Sequence, residues 1–362
     1  MRAALLHLLP AVAARGGLAV VVPLTAVPGD LARLRATLHR WNAPGFAPCR
    51  REGMAIPAAA LVRRDCGFAP HASHESPALV FYANRLLEAG IQRHILTWLG
   101  GATTCFQHVE FRAANITAAD DGYPHGASRV FYAAHADLFA DARVRHFFYS
   151  EADNLPVRAR WAEALQALAA AERFWVKGSV VRGPVKVDEW VIRHINGNAL
   201  YDAHDPEFRD VVARAARTPP RMHAHLDPYD LALASYWHDP WCPTAAHCAP
   251  TTSVAWRRAR MHLYQYSEYA ANHHDHVLSV AAARRAYPCA LFVHGNRTAV
   301  NAGRARGVSP PALVKARAVA RKRGRVARRA ARRGRVFLAC GVASLITALG
   351  ARRLRGARGP EP

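Results

Sequence analysis

The sequence lacks the fingerprints of the commonest nucleotide-handling and hydrolytic folds. Neither G-x-G-x-x-G nor G-x-x-x-x-G-K-[ST] occurs, which excludes the ordinary dinucleotide and P-loop cradles. No G-x-S-x-G is present, so the nucleophile elbow of an α/β-hydrolase is missing. The seven cysteines contain no C-x-x-C pair, which removes zinc ribbons and thioredoxin-like redox motifs. Internal repeats are absent as well. Acids are scarce, 26 against 49 Lys and Arg, for a net charge of +23.

That charge is unevenly spread. From Gly303 onward there are seventeen Lys/Arg against Glu361 alone, so +16 sits there and +7 on residues 1–302. The basicity belongs to a tail, and nucleic-acid binding by the folded body is not implied. The tail arginines have no interleaved aromatic except Phe337, so base-stacking platforms are missing too. Within the tail, Val336–Leu349 is apolar but only 14 residues long, whereas a spanning helix needs ~17 or more. With flanking arginines to meet anionic headgroups, it reads as a membrane-associated segment, either a short span or an interfacial helix. The segments are therefore 1–16, a weak signal or anchor; 17–302, the globular body; 303–335, a basic helical linker; 336–351, the apolar segment; and 352–362, a basic tail.

Along the body, short β-branched runs alternate with helical periodicity. Leu18–Val22 reads as a buried strand, and Asp30–Trp41 as a helix capped by Asp30. Arg40–Ser76 is an irregular insertion. Ala78–Tyr82 is a second strand, with an amphipathic helix following to Leu99. Val109–Ala113 is a third strand, Ser128–Phe139 a helix and Val144–Tyr149 a fourth strand. Such alternation implies an α/β fold with a mostly parallel sheet flanked by helices, Rossmann-like in its winding.

The fourth strand runs into two carboxylates, Glu151 and Asp153. Residues two apart on a strand point the same way, so both acids would reach one rim of the sheet. At the carboxyl edge of an open α/β sheet ligands bind, and two hard oxygens there suit Mg²⁺ or Mn²⁺. The alternative is a polar strand end, with Asp153 or Asn154 capping a helix from Val157. Paired carboxylates also admit glycoside hydrolysis, although an inverting pair stands ~6.5–9.5 Å apart, wider than two acids on one strand face. The histidines at 273, 274 and 276 lack a matching pair at zinc spacing. Six body cysteines permit disulfides in an oxidising lumen, Cys242 and Cys248 being close enough to pair. The sequons at Asn115 and Asn296 matter only in such a lumen.

With these elements in order, residues Leu18–Arg297 resemble the GT-A type glycosyltransferases. The resemblance rests on P-L-T at Pro23, F-Y-A-N at Phe81, the Ala114–Ser128 segment and F-Y-S-E-A-D-N at Phe148. It continues through F-W-V-K-G at Phe174, H-I-N-G-N-A-L-Y at His194 and L-F-V-H-G-N-R at Leu291. It implies a GT-A fold and sugar transfer from a nucleotide-diphospho-sugar donor to a carbohydrate, protein or lipid acceptor. It also implies a Mn²⁺ or Mg²⁺ ion held by Glu151, Asp153 and His294, with Glu151-Ala152-Asp153 standing where the family has Asp-x-Asp. Donor contacts would come from Pro23, Leu24, Thr25, Tyr82, Asn84, Gly126 and Ser128. Asn196, Gly197 and Asn198 would add sugar contacts, unless Asn-Gly merely makes a turn. Lys177 and Arg297 would face the phosphates, unless they are solvated surface cations. An inverting enzyme needs a general base, for which Asp230 leads, followed by Asp227 and Glu189; helix capping explains the two aspartates equally well. A membrane-associated Golgi or ER enzyme is one expected setting, and a tail-anchored form facing the cytosol another. The competing function is a non-catalytic basic protein that binds nucleic acid or membrane through its tail.

Overall fold

In the computed structural model the described residues are 17–67, 75–122, 125–182, 193–217, 228–237, 253–273 and 279–295. All lie in the first of two units into which the chain divides, Met1–Gly303. The N-terminal segment and the entire basic tail fall outside the described residues.

The β-branched run predicted as the first strand forms β1 (Gly17–Leu24), an interior strand of the sheet. β2 (Ala78–Ala83), β3 (Val109–Ala113) and β4 (Val144–Tyr149) pair parallel around it, each where the sequence pattern places it. Three short strands complete the sheet: β6 (Val176–Gly178), β7 (Leu200–Asp202) and β8 (Tyr264–Tyr266). Its order is β3-β2-β1-β4-β7-β6-β8, and β7 alone runs antiparallel to both neighbours. The mostly parallel α/β sheet is thus as expected, with one reversed strand inserted.

Both faces are covered. Leu18, Val20, Val22 and Leu24 point one way, onto α1 (Pro28–Trp41), α2 (Ala89–Leu99) and α4 (Trp161–Ala171). Ala19 and Val21 point the other way, onto α3 (His125–Ala140), α5 (Pro206–Arg217) and α6 (Tyr229–Ala234). This period-2 division of one strand between two cores is what a near-continuous apolar run encodes.

A second sheet, ordered β5-β10-β9, contains β5 (Leu155–Pro156), β9 (Ala270–Asn272) and β10 (Phe292–His294). β10 pairs antiparallel with β5, Val293 opposite Leu155, and parallel with β9, His294 opposite Asn272.

Several expectations are corrected. α1 begins at Pro28 behind Val27; Asp30 sits inside its first turn, where the carboxylate takes Thr25 Oγ1–H and Arg33. No helix starts at Val157, because Leu155–Pro156 joins the second sheet and α4 waits until Trp161. The 40–76 insertion contains two short 3-10 turns and is stapled by Cys49–Cys105 and Cys66–Cys289. Cys242 and Cys248 lie outside the described residues.

Candidate functional site

Glu151 and Asp153 do not continue the strand. β4 ends at Tyr149, and residues 151–154 form a turn closed by Asn154 N–H donating to Glu151 O at 2.9 Å. The acids converge because this turn is held on several sides. Ser150 N–H donates to Val21 O at 2.8 Å, tying the turn to the rim of β1. Thr37 Oγ1 on α1 donates to Ala152 O at 2.6 Å. Buried Asn154 donates from Nδ2 to Ser150 Oγ at 3.2 Å.

The second sheet delivers the third group. Its β5–β10 register, carried one step further, sets His294 opposite Asn154 and beside the acidic turn. His294 Nε2 lies 2.8 Å from Glu151 Oε2 and 3.5 Å from Asp153 Oδ1. Its other nitrogen, Nδ1, donates to Asn272 Oδ1 at 3.0 Å, and Asn272 is brought there by the β9–β10 pairing. That bond fixes the tautomer and aims Nε2 at the acids, the arrangement usual for a metal-binding histidine. The three side chains offer one atom each, all within 4.8 Å of one another. His294 is buried, whereas Glu151 and Asp153 keep 40% and 37% of their side-chain surface open to solvent.

Electrostatics follow from this geometry. Burial disfavours a charged imidazole, yet hydrogen bonds and charge from Asp153 and Glu151 outweigh it and push His294 up to about 10. Burial likewise raises the Asp153 carboxyl, but His294 and Arg33 hold it below the usual carboxylate range. Two carboxylates and an aimed imidazole, open on the acidic side, fit a divalent cation.

The Asn196–Asn198 turn adjoins this cluster. Glu151 N–H donates to Asn198 Oδ1 at 2.8 Å, and Asn198 Nδ2 donates to Glu151 Oε2 at 3.1 Å. Behind it, Gly197 N–H donates to Asp230 Oδ2 at 3.1 Å, and His194 Nε2 lies 3.3 Å from the same oxygen. A Cβ at Gly197 would collide with Tyr229 Oη, so the position requires glycine. Burial raises the Asp230 carboxyl, but His194 and the N–H groups of Leu231 and Gly197 hold it low.

At the rim, Leu24 is buried while Pro23 and Thr25 are half-buried. Buried Asn84, just past β2, donates to Asp121 Oδ2 at 2.6 Å. Gly126 and Ser128 open α3, and a Cβ on Gly126 would lie 2.9 Å from the Asp121 backbone. Two expectations are corrected. Tyr82 is fully buried with its hydroxyl on Asp137 of α3 at 2.6 Å, so it packs the core and does not reach the rim. Lys177 is buried against α4, donating to Leu168 O at 3.0 Å with Nζ 4.7 Å from the Phe174 ring centroid. It therefore serves the carbonyl end of a helix and does not face a phosphate. Glu189, Asp227 and Arg297 fall outside the described residues. Thr37, Asn272 and Asp121 were not anticipated; each is a lone polar residue whose partner is distant in sequence.

No protein-family model and no curated protein matches the sequence. Solved structures do resemble the fold. Mouse xyloside xylosyltransferase 1, apo form, is 10% identical at a TM-score of 0.39, over 77% of this chain and 98% of that one. A glycosyltransferase involved in glycosylation of the major capsid of PBCV-1 is 9% identical at 0.35, over 81% and 94%. The WbbM bifunctional glycosyltransferase is 8% identical at 0.39, over 77% of this chain and 45% of its own. At such identities and scores the chemistry must be read from the site itself.

Proposed function

We propose that the protein is a divalent-metal-dependent glycosyltransferase using a nucleotide-diphospho-sugar donor. One observation carries the reading: Glu151 and Asp153, from the turn after β4, and His294, from the second sheet, converge beside the carboxyl ends of parallel strands. Glu151, Asp153 and His294 Nε2 would hold the cation, Mn²⁺ suiting the mixed oxygen and imidazole set. A cation bound there supplies Lewis-acid stabilisation of the negative charge that develops on the diphosphate as the anomeric C–O bond breaks.

The chain's own residues do the rest. Pro23, Leu24, Thr25 and Asn84 line the strand ends where the nucleoside would lie, and Gly126 and Ser128 admit it closely at the start of α3. Asp230 is retained as the leading candidate base by its place directly behind the Asn196–Asn198 turn that adjoins Glu151. Asp153 is the poorer fit to a hydrolase's general acid, because that role needs a raised pKa and His294 lowers this one.

All four cysteines among the described residues are paired, which favours an oxidising compartment such as the Golgi or ER lumen. Asn115, exposed just past β3 with φ 52°, would be open to N-glycosylation there. Among the described residues no helix is long and apolar enough to cross a membrane. Membrane contact would come through the tail.

The test is direct. The full chain with Mn²⁺ and a panel of nucleotide-sugars should release nucleoside diphosphate, chelation should stop it, and Asp153→Ala should abolish it. Undiminished release from the variant would remove Asp153 from the reaction.

A further inference from the structure

We propose that Asn198, backed by the buried Asp230–His194 pair, is a positioning bracket that holds Glu151 as a metal ligand and thereby sets metal affinity. The inference rests on the metal-dependent reading of this site and gives Asn198 a role other than sugar recognition.

The need for a bracket comes from Glu151 itself. It lies in a turn, is 40% exposed, and has one more methylene than an aspartate, hence one more torsion to fix. Asn198 meets that need by gripping both ends of the residue, its Oδ1 taking the Glu151 N–H and its Nδ2 holding Oε2. The amide is itself oriented, because Asn196 Oδ1 accepts from Asn198 N–H at 3.1 Å and from Nδ2 at 3.0 Å. Both Nδ2 protons are thus committed, and none is left to donate to a sugar hydroxyl.

The turn that presents Asn198 is anchored in turn. Asn196 N–H donates to Ser179 O at 2.9 Å, and Tyr201 Oη donates to Gly197 O at 3.1 Å. Asp230 Oδ2 takes Gly197 N–H while facing His194, and both acid and histidine are buried. A charged acceptor in a buried setting makes that hydrogen bond a strong one. The path is continuous: His194, Asp230, Gly197, Asn198, Glu151. Outer partners of this kind typically change metal affinity ~10–100-fold when removed.

Mn²⁺ titration of the full chain by calorimetry tests the bracket without any turnover. Asn198→Asp keeps the shape and the acceptor toward Glu151 N–H but replaces the donor facing Oε2 with oxygen. It should weaken Mn²⁺ about 10–100-fold, and Asp230→Asn should weaken it by a smaller factor. Raising Mn²⁺ should then restore nucleoside diphosphate release by Asn198→Asp with the donor KM unchanged. In a Glu151→Ala background Asn198→Asp should have no further effect on Mn²⁺ binding, a non-additivity that general loss of structure would not produce. Wild-type Mn²⁺ affinity in Asn198→Asp, with a raised donor KM that Mn²⁺ does not rescue, overturns the bracket and puts Asn198 on the sugar. Failure of the wild-type chain to take up Mn²⁺ is a different result, and removes the metal reading together with everything built on it.

Discussion

The two ends of β4 each carry a cluster of ionisable side chains, and they are built on opposite plans. At the amino end every acid meets an arginine: Asp141 takes Arg112 and Arg143, Asp202 takes Arg145, and Asp205 takes Arg173, at 2.7–3.1 Å. The Asp202 side chain has no exposed surface. At the carboxyl end two acids share one histidine, which must acquire a proton to balance even one of them, and both acids stay more than a third exposed. A balanced, sealed cluster holds elements together. One with surplus negative charge and an open side is suited to take a cation from solution. Ionisable residues are thus informative by the charge left over and the solvent left in contact, more than by their number.

The sharpest way to break this contrast is to remove one acid from each end. Asp153→Ala should lower nucleoside diphosphate release at least about 100-fold, the several kcal/mol that a metal's charge stabilisation is worth, while costing less in urea unfolding than a substitution in the amino-end cluster. Asp202→Ala should do the reverse. It strands the N–H groups of His204 and Asp205, which donate to Asp202 Oδ1 at 2.7 and 2.9 Å, and frees Arg145. The expected loss is about 2–4 kcal/mol in urea unfolding, with turnover of the surviving fold retained. Swapped outcomes would mean that the ligand site lies at the amino end.

Much of this contrast was legible in the sequence, and the rest was not for physical reasons. β1 to β4 could be read because a strand buried on both faces is a continuous apolar run. Glu151 and Asp153 stood out because they interrupt such a run, and His294 because it ends another. β7 and the β5-β10-β9 sheet have two or three residues per strand, too few for any periodicity to register. Asn198 and Glu151 are 47 positions apart, so neither announces the other. Tyr82 and Lys177 were assigned through the resemblance alone, which does not say which way a side chain faces. The disulfides span 56 and 223 residues, and spacing does not determine pairing over such lengths.

A third experiment sharpens the comparison through pH. The fold raises His294 from an ordinary 6.5 to about 10, so it binds this proton more tightly than the unfolded chain does. The triad's contribution to metal-free stability is therefore complete below about pH 6.5 and drains as pH climbs through about 10. Mn²⁺ must displace the same proton, so its affinity should rise about tenfold per pH unit between pH 6.5 and 8.5, with one proton released per ion bound. Calorimetry in buffers of different ionisation enthalpy counts that proton. A flat affinity with no proton released would show that His294 is not a ligand.

The smallest expected effect belongs to Lys177, and it tests whether a cation two strands from β4 belongs to either cluster. Lys177→Met keeps the aliphatic stem and removes the bond to Leu168 O at 3.0 Å and the charge over Phe174. Burial already lowers the pKa of this ammonium, so the substitution also relieves a desolvation penalty. The two changes oppose one another, and the net loss should be about 1 kcal/mol or less in urea unfolding. Donor KM should stay within about twofold, because the α4 carbonyl that Nζ serves is part of the core. A tenfold rise in KM with unaltered stability would return Lys177 to the phosphates, and would mean that α4 releases it when donor binds.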